Sequence, residues 1–293
     1  MSVNPLASVV NAPASSLIRS VVHLPAIIGS ETTGLLSNLR RSWRVLWTLT
    51  MIECRRKYAG SILGTLWYPL YSLLLLGSYC FLYLVVFRVR YRELGTYEFV
   101  LFVFSGLVPY LGFSEAVSTG LGSVKANLAL LRNAVFPIEL VPVKHALAAM
   151  VGLFSSLTLL IVMILPTSYA GWHLLYLPVP LVSLLLFTLG VIWFLSAIAV
   201  VVPDIAHVVN IALLLFMFVS PIGFTIDSVP ARVRALVYLN PLTYLIEGFR
   251  FALIGVRVSP MWSDGLFLVV ALALALSAAT FFRRMSPIFS DYE

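Results

Sequence analysis

The sequence predicts an all-α polytopic membrane protein with six transmembrane helices, an N-terminal amphipathic interface helix and a re-entrant helical hairpin between spans five and six. Of the 293 residues, 61% are hydrophobic and only 11% are charged, whereas a typical soluble domain carries about 25% charged residues. Apolar windows of about 20 residues recur along the chain, and each is long enough to cross a hydrocarbon core. The windows are continuous rather than alternating, which favours helices over a β-barrel.

The two chain ends are expected to lie outside the membrane. Residues 1–38 lack the basic segment and the compact apolar segment of a cleaved signal peptide. We expect them to form a flexible cytoplasmic tail, with an interfacial helix as the alternative. Residues 39–284 then form the transmembrane domain, and residues 285–293 form a second cytoplasmic tail.

An amphipathic helix is predicted over residues 39–58. Apolar side chains recur at helical spacing, namely Leu39, Trp43, Leu46, Trp47 and Met51, and the basic side chains are Arg40, Arg41, Arg44, Arg55, Arg56 and Lys57. This pattern is typical of a helix on a membrane surface, where tryptophan is favoured at the headgroup boundary. A soluble helix packed on a partner is the alternative.

Six apolar runs are candidate spans: residues 63–87, 99–118, 146–165, 181–202, 205–224 and 266–282. Six spans place both termini on the same side of the membrane. If that side is the cytoplasm, it holds twelve of the nineteen Lys and Arg residues and the outer loops hold seven. This bias favours cytoplasmic termini.

The long stretch between spans five and six holds no run able to cross a membrane. Asn240 and Pro241 divide it, since proline is favoured at the first position of a helix and excluded deeper in. We therefore predict two short helices over residues 229–255 that enter the outer leaflet and return, with an amphipathic loop on the outer surface as the alternative. Glu247 and Arg250 are three residues apart on the second helix and are expected to pair with each other.

The chain carries no pattern that predicts catalysis, a metal site or nucleotide hydrolysis. It contains no H-E-x-x-H pair, no G-x-S-x-G elbow and no Cys or His ligand cluster. The phosphate-binding G-x-x-x-x-G-K-[ST] loop is also absent, because no lysine follows a glycine. Active transport would therefore need energy from a separate subunit or from an ion gradient.

Ion coupling usually requires polar residues near the middle of a span. The candidates here are Glu115, His207 and Asn210, which lie near predicted cytoplasmic ends where contact with water lowers their cost. The net charge of +7 is distributed between the apolar runs. We interpret it as a topology signal and expect no nucleic-acid partner.

Several short motifs resemble those of one membrane-protein family. Residues 55–67 read R-R-K-Y-A-G-S-I-L-G-T-L-W, and further matches are F-S-G-L-V-P at 104–109, N-L at 127–128, F-P-I-E-L-V-P at 136–142, S-P at 220–221 and N-P-L-T at 240–243. In this order they resemble the permease subunits of polysaccharide ABC exporters, which carry O-antigen, capsule or teichoic acid and belong to the ABC type-2 membrane-domain superfamily. The likeness covers about residues 39–284 and is specific for the family but weak for the substrate.

The resemblance implies a homodimer in the bacterial inner membrane, with two copies of a separate nucleotide-binding ATPase that holds ATP and Mg and with a lipid-linked polysaccharide as substrate. It assigns residues 122–136 to a coupling helix that contacts the ATPase. Because this segment is short, amphipathic and cytoplasmic, we expect it to transmit the motion of the ATPase through Asn127, Leu128, Leu131 and Arg132. The resemblance also assigns a gate helix with Trp43, Trp47, Arg55, Arg56, Lys57 and Tyr58, and a re-entrant pair with Asn240, Pro241, Glu247 and Arg250. Pro203 departs from the family, since many relatives carry arginine there.

An aromatic stripe follows the first span and comprises Trp67, Tyr68, Tyr71, Tyr79, Tyr83 and Phe87. Aromatic faces can stack on the C–H faces of sugar rings, so the stripe is a candidate substrate channel. The alternative is that these rings pack against neighbouring helices or lipid. Two other functions stay open: a small-molecule or drug exporter of the same superfamily, and a membrane-embedded enzyme that modifies lipid-linked sugars.

Overall fold

The computed structural model describes residues 43–88, 95–127 and 137–291, and every regular element in these ranges is helical. The helices are α1 (residues 43–57), α2 (Trp67–Cys80), α3 (Thr96–Leu121), α4 (Ser123–Ala126), α5 (Leu140–Ile164), α6 (Pro178–Val201), α7 (Ile205–Val219), α8 (Ala231–Leu239), α9 (Pro241–Ile254) and α10 (Trp262–Met285). Short turns extend them: Gly64–Leu66 before α2, the π-helical Phe81–Val86 after it, Trp172–Tyr176 before α6, Ile226–Ser228 before α8 and Ser286–Asp291 after α10.

Five helical segments are long and apolar enough to cross a membrane: Gly64–Val86, Thr96–Leu121, Leu140–Ile164, Trp172–Val201 and Trp262–Met285. They correspond to five of the six predicted spans, so the prediction of a polytopic helical protein is confirmed at this level. The remaining predicted span, residues 205–224, contains only the 15-residue helix α7. At 1.5 Å per residue α7 is about 22 Å long, which is shorter than a hydrocarbon core of about 30 Å.

The early end of α7 has a local cause. Ser220 adopts an extended backbone conformation with ψ 142°, and Pro221 follows it. A residue before proline is disfavoured in the helical region, because the proline ring clashes with its backbone. The hydrophobic pattern continues to Phe224, but the helix cannot.

α3 is the central helix of the bundle. Of the residues in its apolar window, 78% are buried, and it contacts α2, α5, α6 and α9. Glycines permit close approach between neighbouring helices. A Cβ atom at Gly112 would lie 2.5 Å from a Leu153 methyl carbon, and one at Gly190 would lie 2.9 Å from the Ala275 backbone nitrogen. These contacts bring α3 close to α5 and α6 close to α10.

α1 packs through a stripe that differs from the predicted apolar face. Leu46, Thr50 and Cys54 are buried, at the four-residue spacing of one helix face, whereas Trp43 and Trp47 are about half exposed. Of the residues in the predicted apolar pattern, Leu46 belongs to this buried stripe, and the contact of the tryptophans with a membrane surface stays a prediction. The predicted residues 39–42 lie outside the described residues.

The segment predicted as a hairpin forms two helices, α8 and α9, with the break at Asn240. Asn240 Oδ1 accepts a hydrogen bond from the Leu242 backbone N–H at 3.0 Å, and its Nδ2 donates to Ser220 Oγ at 2.8 Å. α9 ends at Gly255, whose φ of +69° is the left-handed conformation of a helix C-terminus. Glu247 and Arg250 are fully buried, so α9 packs against other parts of the bundle, and the re-entrant placement stays a prediction.

The chain end continues the bundle through the described residues. The helical turn Ser286–Asp291 follows α10 directly, and Phe289 is buried with its ring 5.4 Å from that of Phe282. Residues 1–38, predicted to be a tail, lie outside the described residues.

We expect Gly190→Ala to lower the apparent Tm of the detergent-solubilised protein. Overpacking typically costs about 1–3 kcal/mol, and here the new methyl group meets main-chain atoms of α10 that cannot rotate away. Gly265→Ala is the matched control, since a Cβ atom there meets nothing within 4 Å and alanine favours a helix more than glycine does. Equal Tm values for the two variants would contradict the close packing of α6 on α10.

Candidate functional site

The six aromatic residues of the predicted channel follow α2 and the turn after it. The rest of the chain covers α2 poorly, because only 11% of the residues in its apolar window are buried. Five of these six aromatic residues line two separate cavities. Trp67, Tyr68 and Tyr71 line one of them, and Tyr79 and Tyr83 line the other.

The first cavity, the aromatic cavity, has a volume of about 440 Å³ and lies between residues of α2, α3 and α5 and the end of α1. Lys57 Nζ lies 2.5 Å from Glu115 Oε1 and 4.9 Å from the centre of the Tyr68 ring. The Tyr58 ring meets the Tyr68 ring edge to face at 4.8 Å. The cavity therefore combines aromatic faces, hydroxyl groups and a neutralised ion pair, which suits a ligand with both C–H surfaces and hydroxyl groups.

The second cavity, the α2–α7 cavity, has a volume of about 210 Å³ and lies between α2 and residues 217–224. The rings of Tyr79 and Tyr83 are nearly parallel, with centres 6.1 Å apart. The Tyr79 hydroxyl is buried and has no hydrogen-bond partner among the described residues. Phe87 lines neither cavity; it is 60% exposed and meets the Tyr83 ring edge to face at 5.9 Å.

Ion pairs and one thiol fasten α1 to the bundle. Lys57 pairs with Glu115 of α3, and Glu53 lies 3.4 Å from Lys144 of α5. The Cys54 thiol donates to the Ala148 carbonyl at 3.9 Å, and burial raises the pKa of this thiol. Burial also raises the pKa of Tyr58. Both groups therefore stay protonated at neutral pH, when they can donate hydrogen bonds.

Sequence reasoning missed most of these contacts. The sequence pattern indicates Glu115 only as an ion-coupling candidate, and it predicts no contact for Glu53 or Lys144. Lys57 and Glu115 are 58 positions apart, so no helical periodicity relates them. Of the other two ion-coupling candidates, Asn210 Oδ1 accepts a hydrogen bond from Ser118 Oγ at 2.8 Å, and His207 is exposed.

The predicted coupling helix is described only at its start. α4 forms a single turn, and Asn127 follows it, with Nδ2 donating to the Ser123 carbonyl at 2.7 Å. Asn127 Oδ1 accepts a hydrogen bond from Lys144 Nζ at 3.2 Å. The other three candidates, Leu128, Leu131 and Arg132, lie outside the described residues.

The predicted pairing of Glu247 with Arg250 is confirmed. Arg250 Nη1 lies 2.8 Å from Glu247 Oε1, and both side chains are 1% exposed. Arg250 Nη2 also donates to the carbonyl oxygens of Pro221 at 2.7 Å and Ile222 at 3.2 Å, and its guanidinium carbon lies 3.7 Å from the centre of the Phe102 ring. The pair therefore joins α9 to α3 and to the turn after α7.

A second buried ion pair lies beside the first. Arg257 contacts both carboxylate oxygens of Asp264, at 2.7 and 2.8 Å, and Tyr176 donates to the same carboxylate at 2.9 Å. Asp264 and Arg257 are seven positions apart, and no motif in the sequence predicts this pair. Glu247 Oε2 accepts the backbone N–H of Val258 at 2.9 Å, so the loop after α9 links the two ion pairs.

Most of the chain is similar in sequence to known proteins. The family described as ABC-2 type transporter matches residues 44–254. The O-antigen export system permease protein RfbA of Myxococcus xanthus is 30% identical over 210 residues, which cover 70% of this chain and 78% of that protein. A Klebsiella pneumoniae protein of the same name is 25% identical over 218 residues, covering 73% and 81%. The polysialic acid transport protein KpsM of Escherichia coli is 24% identical over 205 residues, covering 68% and 77%.

We expect Arg250→Met to lower the apparent Tm strongly. Breaking a buried ion pair from one side typically costs about 3–5 kcal/mol, because the remaining charge is left without a partner. The double variant Glu247→Leu with Arg250→Met removes both charges and should recover part of the loss. Arg232→Met, at an exposed position on α8, is the control and should leave the Tm nearly unchanged. A double variant less stable than Arg250→Met would contradict the role given to the ion pair.

Proposed function

This chain belongs to the ABC-2 type transporter family, and we propose that it is the membrane-spanning permease subunit of an ATP-driven polysaccharide exporter. Its substrate would be a lipid-linked polysaccharide such as O-antigen, carried across the bacterial inner membrane. The observation that carries the proposal is the likeness to permeases of O-antigen export and to a polysialic acid transport protein over at least two thirds of the chain.

Energy would come from a separate nucleotide-binding subunit, present in two copies. The chain has no phosphate-binding loop of its own, so ATP and Mg belong on that partner. The coupling helix of residues 122–136 would contact it, and the turn at α4 with Asn127 forms its start. The permease itself would be non-catalytic.

The basic end of the bundle is proposed to face the cytoplasm. Lys144 contacts both Glu53 of α1 and Asn127, and Arg283 at the end of α10 pairs with Glu139 at the start of α5, at 3.1 Å. Through these contacts α1, α4 and the basic end of α10 lie at the same end of the molecule. An end rich in Lys and Arg is typical of the cytoplasmic side of a membrane protein. α1 would then lie along the membrane surface with its half-exposed tryptophans at the headgroups.

At the opposite end, α8 and α9 would form the re-entrant pair. The burial of α9 supports this placement, because backbone at membrane depth must be covered by protein. α7 together with residues 220–224 would complete the sixth crossing, since Ser220 and Ile222 are buried beside α9. This arrangement returns both termini to the cytoplasmic side.

Two subunits would meet along α2 and α7. α2 is poorly covered, and Leu213 is the one buried residue of α7. Much apolar surface of α7 is exposed at Val208, Ile211, Leu214, Leu215 and Phe218. A second copy related by a two-fold axis would face these helices, and the axis would carry the polysaccharide path past Tyr71, Tyr79 and Tyr83.

Export by this subunit can be tested in a strain that lacks the chromosomal copy. The strain should lose its surface polysaccharide, and the wild-type gene should restore it. Tyr71→Ala and Tyr79→Ala should slow export about two- to tenfold, because each ring contact is worth about 0.5–1.5 kcal/mol. Surface polysaccharide measured over time after induction gives the rate.

Phe154→Ala is the control for these variants, since Phe154 is 50% exposed on α5 and lines neither cavity. It should leave the export rate unchanged, and Tyr71→Phe should retain most of it. Unchanged export in both tyrosine-to-alanine variants would contradict the aromatic path. Restored export in a strain without any nucleotide-binding partner would contradict the proposed function itself.

The dimer can be tested by cysteine cross-linking in a chain whose Cys54 and Cys80 are replaced by alanine. We expect Leu74→Cys and Ile211→Cys, which are exposed on α2 and α7, to yield a covalent dimer with a bis-maleimide in membranes. Val162→Cys, similarly exposed on α5, should stay monomeric. Cross-linking at Val162 alone would place the partner on a different face.

A further inference from the structure

A groove of about 200 Å³, the α6–α7 groove, lies between α3, α6, α7 and the start of α9. Its wall includes Phe113 of α3, Phe187 and Leu195 of α6, Val209 and Phe216 of α7, and Pro241 of α9. The groove shares no wall residue with the aromatic cavity or the α2–α7 cavity. It is therefore a separate space, on a different side of α7 from the aromatic stripe.

The wall of the groove presents only apolar surface. The polar residue in the wall is Asn240, and its side chain is engaged elsewhere: Oδ1 accepts the Leu242 N–H, and Nδ2 donates to Ser220 Oγ. A buried water molecule needs several polar partners, and apolar cavities of about 150 Å³ stay dry and take up hydrocarbon. The groove is therefore suited to a hydrocarbon ligand.

The groove is open along one side. Phe187 and Leu213 are 7% and 6% exposed and form its base, whereas Phe216 is 41% exposed at its rim. Leu195 and Val209 are also partly exposed. Because α6 belongs to a helical segment that is long and apolar enough to cross a membrane, lipid is what reaches this opening in a membrane.

The length of the groove matches one leaflet of a bilayer. Its α6 wall runs from Phe187 to Leu195, a distance of about 12 Å at 1.5 Å per residue, and half of a hydrocarbon core is about 15 Å. Leu195 and Val209 lie near the short connection of residues 202–204, which faces the cytoplasm in the proposed orientation. Pro241 closes the other end. An acyl chain from the cytoplasmic leaflet therefore fits the groove.

A second copy of the chain is not the expected occupant. Val209, Ala212 and Phe216 line the groove at the three- and four-residue spacing of one helix face. Ile211 and Phe218, which we assign to the subunit contact, lie on the opposite face of α7. The proposed dimer therefore leaves the groove in contact with lipid.

We propose that the α6–α7 groove binds one acyl chain of a membrane phospholipid. The chain restores the van der Waals contacts that the wall residues would lose beside an empty space. Tyr110 and Ser118 hold α7 against α3 by hydrogen bonds to the Leu213 carbonyl and to Asn210, and the acyl chain supports α7 on the side of α6. The position of α7 thus depends on the bound lipid, which goes beyond the function proposed above.

The test is photolabelling of the full-length chain in vesicles of phosphatidylethanolamine and phosphatidylglycerol. The vesicles contain a trace of phosphatidylethanolamine with a diazirine in one acyl chain. They are dissolved in detergent with excess unlabelled phospholipid before irradiation, so that freely exchanging lipid is replaced. We expect residues 187–195 and 209–216 to retain at least about tenfold more label than the exposed α10 surface at residues 266–273, because each buried methylene group adds to retention.

Ala212→Phe places a ring inside the groove and should lower the retained label at least about tenfold. Ala212→Leu adds a smaller side chain and should lower it less, which keeps the test valid if the larger variant does not fold. Ala273→Phe is the matched control, since Ala273 is an exposed alanine of the membrane-spanning helix α10 and lies outside the groove. It should leave the label in the groove unchanged.

A second measurement is the apparent Tm before and after lipid removal. Delipidation should lower the Tm of the wild type and of Ala273→Phe, and added dioleoyl phosphatidylethanolamine should restore it. The Tm of Ala212→Phe should respond less to either step, because its ring occupies the space of the acyl chain.

Geranylgeranyl phosphate with the same diazirine is the second probe, since an isoprenoid is also a hydrocarbon. Stronger labelling of the groove by this probe than by the phospholipid would overturn the assignment to an acyl chain. Groove labelling no higher than that of α10 would overturn the site, as would equal labelling of Ala212→Phe and Ala273→Phe in folded variants.

Labelling and export are measured separately, so the two proposals fail separately. A chain that restores export but retains no phospholipid label in the groove loses this site alone. A chain that retains the label but restores no export loses the exporter function alone.

Discussion

The helix arrangement depends on how polar groups are satisfied in a bundle whose interior excludes water. Arg250 is the clearest case. Its guanidinium pairs with Glu247 of α9, donates to the carbonyls of the turn after α7 and lies against Phe102 of α3. An unpaired charge at this depth would be strongly destabilising. The positions of α9, of the central helix and of the end of α7 are therefore mutually constrained.

The opposite end of the molecule uses more exposed contacts. Lys57 and Glu53 hold α1 against α3 and α5 by ion pairs in which three of the four side chains are partly accessible, and the fourth, Lys144, is buried. Such pairs contribute less to stability than buried ones, because water and salt screen them. α1 can therefore shift at a smaller cost than α9, which is appropriate for an element proposed to lie at the membrane surface beside the substrate.

The helices differ in how much of their surface the rest of the chain buries. Half or more of the residues are buried in α9 and in the apolar windows of α3, α5 and α6, and about a third in that of α10. By contrast, few residues of α2 are buried, and Leu213 is the one buried residue of α7. α7 is held by the Tyr110 hydroxyl, which donates to the Leu213 carbonyl, and by Ser118 bonding to Asn210. An exporter of a long polymer needs a rigid frame and a wall that can adjust, and this division is consistent with that need.

The sequence by itself determined the features that depend on short-range geometry. Continuous apolar runs predicted the helices, Asn240 and Pro241 predicted the break before α9, and a three-residue spacing predicted the Glu247–Arg250 pair. Each rests on backbone chemistry or helical periodicity within a few residues. Tertiary structure decided the partners of Lys57, Lys144 and Asp264, the buried stripe of α1 and the sharing of aromatic rings between cavities. These depend on which helix faces meet, and the packing of distant segments is not encoded in any local period.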